Sequence, residues 1–133
     1  MNSEKSAFAQ NTNFRSLEQV IENADMFLGL SGPNVLKPAL IKKMNAKPII
    51  FALANPSPEI MPAIARKAAP DSIIAPGRSE FSNQVNNVLC FPFIFRGALD
   101  VEAMEINDEM QLACIDAIAE IARTTTSAEA AAA

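Results

Sequence analysis

Apolar residues in this chain keep two rhythms. From Ser16 to Pro76, short unbroken apolar runs alternate with stretches whose apolar positions repeat at helical spacing. "SLEQVIENA" opens on Ser16, a good N-cap, and sets Leu17, Val20, Ile21 and Ala24 on one helical face before Asn23 closes it. "DMFLGL" then predicts a short strand. "SGPNVLKPALIKKM" turns through Ser31, Gly32 and Pro33 and predicts a helix with Leu36, Leu40, Ile41 and Met44 inward. "KPIIFALA" predicts a second strand. "SPEIMPAIARKA" predicts a helix with Ser57 as N-cap and Pro58 in its first position, where proline's missing N–H is harmless. "DSIIAP" predicts a third strand.

Short apolar strands separated by amphipathic helices predict an α/β fold. Its βαβ units would surround a parallel sheet whose strands are covered on both faces. Beyond Pro76 the rhythm changes. "SNQVNNVLCFPFIFRGALDVEA" predicts one long helix from about Gln84, bent near Pro92. "NDEMQLACIDAIAEIAR" predicts a helix capped by Asn107, with Asp108 and Glu109 at its positive end. Met110, Ala113, Cys114, Ala117, Ile118 and Ile121 form its apolar stripe. The expected layout is a tail or partial helix over 1–14, one domain over 15–123 and a low-complexity tail over 124–133.

Composition narrows the chemistry. The 133 residues suit one domain, and half are apolar. There is no His and no Tyr. The commonest general base, the phenolic acid and the commonest zinc ligand are therefore missing, and no carboxylates show metal-ligand spacing. A net charge of -4 without a basic block argues against nucleic acid. The cluster Lys37, Lys42, Lys43 and Lys47 reads as a solvated helix face, with phosphate contact as the alternative. Cys90 and Cys114 lack CxxC spacing and read as reduced core thiols. With no apolar run of membrane length and no leader-like N-terminus, the expected location is cytoplasmic, without a membrane partner.

In open parallel sheets, ligands bind outside the carboxyl ends of the strands. Three loops qualify here: "SGPN", "NPSPE" and "GRSEFSNQVNN". Asn55 ends the second strand and offers a donor and an acceptor without charge. Pro56 restricts it to extended backbone, and a helix N-terminus should point donors at the same space. The competing reading is a turn residue that caps a helix. Asn86 and Asn87 should lie just inside the long helix, beside Val85, Val88 and Leu89, which look buried. They read as site residues or as interhelical struts. Arg78 could clamp an anion or pair with Glu80 or a neighbouring domain. The four glycines form no GxGxxG.

The stretches "DMFLGLSGPNVLKPALIKKM", "PIIFALANPSPEI" and "GRSEFSNQVNNVLCFPFIFRGALDV" resemble the C-terminal part of the NAD(P)-binding domain of bacterial malic enzymes. The resemblance runs from about Glu4 to Arg123. It implies a partial Rossmann-like parallel sheet of about three strands, with flanking helices and a helical C-terminal segment. It also implies a part in the oxidative decarboxylation of L-malate to pyruvate and carbon dioxide with reduction of NAD or NADP. Mg or Mn would serve the complete enzyme through ligands outside this chain. Asn55, Asn87, Ser31 and Gly32 would contact cofactor, and Asn55, Asn86 and Asn87 substrate. No catalytic residue is expected here: the family's acid is a tyrosine, and its catalytic lysine, metal ligands and glycine-rich turn lie upstream of the match. Pro76 and Phe81 replace a common threonine and a common aromatic hydroxyl. The implied partners are malate, the N-terminal malic enzyme portion and further copies in a homo-oligomer. The chain is expected to be a split-gene product, a remnant or an excised segment, inactive alone. The alternative is a non-catalytic remnant or small α/β binding module that associates with a malic enzyme protomer.

Overall fold

The computed structural model describes residues 6–86 and 88–124. The chain divides into two compact units, Met1–Gly77 and Arg78–Ala133. In the first, β1 (Met26–Gly29), β2 (Ile49–Ala52) and β3 (Ile73–Pro76) form one parallel sheet in the order β1-β2-β3. All three predicted strands are present, and the partial Rossmann-like α/β class holds. Three short helices accompany them: α1 (Leu17–Val20), α2 (Pro38–Ile41) and α3 (Pro62–Ala68).

The register aligns Phe27 with Ile50 and Ile50 with Ile74. This row is buried together with Ile21, Leu36, Ile41, Met44, Ile60 and Ala65 from the connections. Side chains alternate across a strand, so the neighbours of this row point to the opposite face. There Met26, Leu28 and Ile73 are exposed, Leu28 at 55%. The expected cover on both faces is thus corrected at Met26, Leu28 and Ile73, while Ile49 and Phe51 on this face are half-buried and Ala75 is buried.

The helices are shorter than the apolar spacing predicts. The first stops at Val20 with Ile21 as C-cap, short of the expected close at Asn23, which turns the chain at φ 59 in the left-handed conformation that asparagine tolerates. The second is only Pro38–Ile41; Leu36 and Met44 are buried from the turns on either side. The third starts at Pro62 with Met61 as N-cap, not at Pro58 with Ser57. Pro58, Glu59 and Ile60 are buried in a non-helical approach, so tertiary contacts there override the local start signal.

In the second unit, α4 spans Phe93–Asp100 and α5 spans Asp108–Thr124. The long helix expected from Gln84 is corrected: residues 84–86 are not helical, and Pro92 is the N-cap of α4. Proline lacks an N–H and pushes its predecessor out of helical backbone, so a helix starts after it more readily than it runs through. The start of α5 is as expected, with Met110 N–H donating to Asn107 Oδ1 at 2.9 Å. Its stripe is half-buried at Met110, Cys114 and Ile118 and open at Ile121. Among the described residues no helix is long and apolar enough to cross a membrane.

Candidate functional site at the strand ends

The loops after β1 and β2 are joined. Leu53 N–H continues the strand pairing by donating to Gly29 O at 3.1 Å. Further out, Asn34 N–H donates to Pro58 O at 3.2 Å and Leu36 N–H to Glu59 O at 3.1 Å. Between these lies the Glu59 side chain, 0% exposed. Its Oε1 accepts from Ser31 N–H at 2.8 Å and Ser31 Oγ at 3.2 Å, and its Oε2 accepts from Ala54 N–H at 3.2 Å. A carboxyl group removed from water without such donors would be strongly destabilising. Its partners here are main-chain donors and one hydroxyl.

Asn55 follows Ala54 directly. Its side chain is exposed at the end of β2 and makes no hydrogen bond among the described residues. The peptide bond to Pro56 is cis. The helix N-terminus expected beside Asn55 lies farther along, at Pro62, whose ring nitrogen has no hydrogen to offer. Asn55 does not cap α3. Ser31 directs both donors at Glu59, leaving its hydroxyl lone pairs and carbonyl for a ligand. Gly32 is half-buried, and a Cβ built there meets nothing within 4 Å. The strand end thus presents an unpartnered carboxamide beside an open stretch of main chain, a fit for the uncharged amide of a nicotinamide or for a small hydroxy acid.

A cavity of about 310 Å³ lies beside the joined loops, lined by Asn34, Leu36, Ile60 and Ile64 among others. A second, of about 380 Å³, is at the opposite end of the sheet, against Pro48 and Ser72. Among the described residues no group of three His, Cys, Asp or Glu could hold a metal ion. They do not fit the Mg or Mn that the resemblance implies.

The third loop belongs to the second unit. Arg78 pairs with Glu80 at 2.5 Å, the ion-pair reading of this residue. Asn86 Oδ1 accepts from Val88 N–H at 2.8 Å, a local turn rather than a position inside a helix. The burial expected around it is corrected: Val88 and Leu89 are exposed at 62% and 57%. Asn87 lies outside the described residues. Cys90 and Cys114 are free thiols that line an apolar cavity of about 510 Å³ with Phe91, Ile94 and Ile118. Desolvation, and then the neighbouring Cys90, push the Cys114 thiol above its ordinary pKa.

The residue that sequence reasoning missed is Glu59. The available signal was Gly29, a glycine at the end of a predicted strand, where glycine often marks close approach by another group.

Comparison with known proteins identifies the family. Residues 1–132 match the profile described as "Malic enzyme, NAD binding domain". The chain is 61% identical over 113 residues to the NADP-dependent malic enzyme of Escherichia coli (strain K12), covering 85% of this chain and 15% of that protein. It is 59% identical over 119 residues to the NAD-dependent malic enzyme of Rhizobium meliloti (strain 1021), covering 90% and 16%. Among solved structures, the NAD-dependent malic enzyme of Thermotoga maritima aligns with a TM-score of 0.71 at 49% identity, over 84% of this chain and 28% of that one. The chain therefore spans well under a third of these relatives, and by sequence and by fold it belongs to the malic enzyme family, within its NAD-binding domain.

Proposed function

We propose that this chain supplies the strand-end part of the NAD(P)-binding domain of a malic enzyme, and that Asn55 orients substrate and nicotinamide in the oxidative decarboxylation of L-malate to pyruvate and carbon dioxide. When bound, NAD or NADP would accept the hydride from malate. The observation that carries the reading is the exposed, unpartnered carboxamide of Asn55 at the carboxyl end of β2. An amide there can donate to a carboxylate and accept from a hydroxyl or carboxamide without titrating. Gly32 would leave room for close approach, and Ser31 would serve through its acceptor positions. Asn86 and Asn87 are proposed as substrate-orienting residues, and Asn87 as a cofactor contact, on the family's paired asparagines alone. Relatives named for NADP and for NAD match this segment about equally, so its similarity does not separate the two cofactors. The rest of a malic enzyme as partner, homo-oligomeric assembly and a cytoplasmic location belong to the same proposal.

The test is Asn55→Ala in a complete malic enzyme carrying this segment. Malate turnover should fall by tens to about a hundredfold through lost orientation. Unfolding should shift by less than about 0.5 kcal/mol, because an exposed side chain is removed. Unchanged turnover per folded molecule would refute the assignment.

A further inference from the structure

We propose that Glu59 is a positioning residue for the strand-end site, holding Asn55 and the Ser31–Gly32 turn in place with a single buried carboxyl group. The inference rests on the reading of Asn55 given above. Glu59 is 0% exposed, yet it lies in a loop at the rim of the sheet, where an acid would ordinarily face water. Its two oxygens divide between two loops: Oε1 holds Ser31 through both N–H and Oγ, and Oε2 holds the N–H of Ala54, the residue before Asn55. Strand pairing ends one residue earlier, where Leu53 N–H donates to Gly29 O. Beyond that point the carboxyl group takes over the work of a ladder, joining two segments that have stopped pairing.

Gly29 supplies an independent observation. A Cβ at this position would lie 2.5 Å from Glu59 Cδ and 2.7 and 2.8 Å from its two oxygens. The glycine therefore leaves the space that the carboxyl group fills. With the group buried and bonded on both oxygens, any side chain at position 29 must displace it. Asn55 and Gly32 are left facing outward on loops whose backbones cannot shift independently. Supporting groups of this kind set whether a ligand-orienting amide is held to the fraction of an ångström that orientation requires.

The chemistry makes specific variants informative. Glu59→Gln keeps one acceptor but turns an NH₂ group towards either the Ser31 or the Ala54 donors, so one loop is released. Gly29→Ala leaves the acid intact and moves it. In a complete malic enzyme carrying this segment, each should lower malate turnover by about tenfold or more. In an Asn55→Ala background each should lower it by a clearly smaller factor, because one of the two segments they position has lost its ligand-orienting group. A merely structural Glu59 would give losses that multiply with that of Asn55→Ala, and this would overturn the inference. So would full turnover in soluble Glu59→Gln or Gly29→Ala enzyme. If Glu59→Gln does not fold, Gly29→Ala and Glu59→Asp, whose shorter side chain cannot reach both loops, decide by the same cycle; failure of all three to fold would assign Glu59 to folding and overturn it too. If Asn55→Ala alone leaves turnover unchanged, the reading of Asn55 fails, a result distinct from additive losses.

Discussion

Asn55 and Glu59 are four residues apart and stand in opposite relations to water. Both carry a planar head with two polar atoms, but Asn55 leaves its head unpartnered in solvent while Glu59 is enclosed by donors. Gly77 shows a second tight position. A Cβ there would lie 2.8 Å from the main-chain oxygen of Leu53, which cannot move without disturbing the end of β2. Gly77→Ala should therefore destabilise the fold by about 1–3 kcal/mol, measured by urea unfolding; an unchanged midpoint would contradict this contact. The pair Lys43–Glu18, at 2.7 Å, is a contrasting case. Its hydrogen bond, then its charge attraction, lowers the Glu18 pKa and raises that of Lys43. The Glu18 contribution is present above the ordinary value of 4.5 and is lost as pH falls through the lowered one. The Lys43 contribution is present below 10.5 and is lost as pH rises through the raised one. Both side chains are exposed, so Glu18→Gln should scarcely move the melting temperature at pH 7. Any shift should vanish in about 1 M salt, where the screening length is about 3 Å. A salt-insensitive loss would contradict a solvent-screened pair.

At the scale of elements, strands and helices differ in how closely they follow the sequence. The three strands lie where unbroken apolar runs predict them, since each run is bounded by turn residues such as Gly32, Pro48 and Gly77. The helices are cut back. Leu36 and Met44 keep the inward positions that helical spacing suggested, yet each is buried from a turn beside α2 whose main chain bonds across to another segment, Leu36 N–H to Glu59 O and Asn45 N–H to Ala24 O. Burial was legible at these residues; helical backbone was not, because cross-loop hydrogen bonds satisfied the main chain instead. The N-terminus of α5 was legible in full because a cap is a local device. Asn107→Ala should remove the acceptor of Met110 N–H and cost about 1 kcal/mol of helix stability. Hydrogen exchange should quicken in the first turn of α5, and unaltered protection would show that the cap contributes nothing.

At the scale of the whole molecule, much apolar surface stays open. Leu28 and Ile73 are exposed on the sheet, and Phe93, Leu99 and Met104 in the second unit, Met104 completely. Surfaces of this kind associate. The chain by itself should form oligomers or aggregates in sedimentation at micromolar concentration, and a sharp monomer peak with cooperative unfolding would count against this. It should also show no malate oxidation with either nicotinamide cofactor and Mn, since it has neither His nor Tyr for proton transfer and spans a small fraction of its catalytic relatives. Activity that survives repurification would overturn that expectation.

The sequence by itself determined the strands, their parallel α/β arrangement, the cap of α5 and the family, because each rests on local spacing or on motifs in order. It also pointed to Asn55, an amide at the end of an apolar run. Tertiary structure alone decided how far each sheet face is covered, where α2, α3 and α4 begin, and what Glu59 does. Helix starts here depend on whether a main-chain group finds a partner in a distant loop. The carboxyl group of Glu59 is buried because Ser31, 28 residues away, and Ala54 converge on it over the space left by Gly29. No spacing along the chain encodes that convergence; it exists only once β1 and β2 lie side by side.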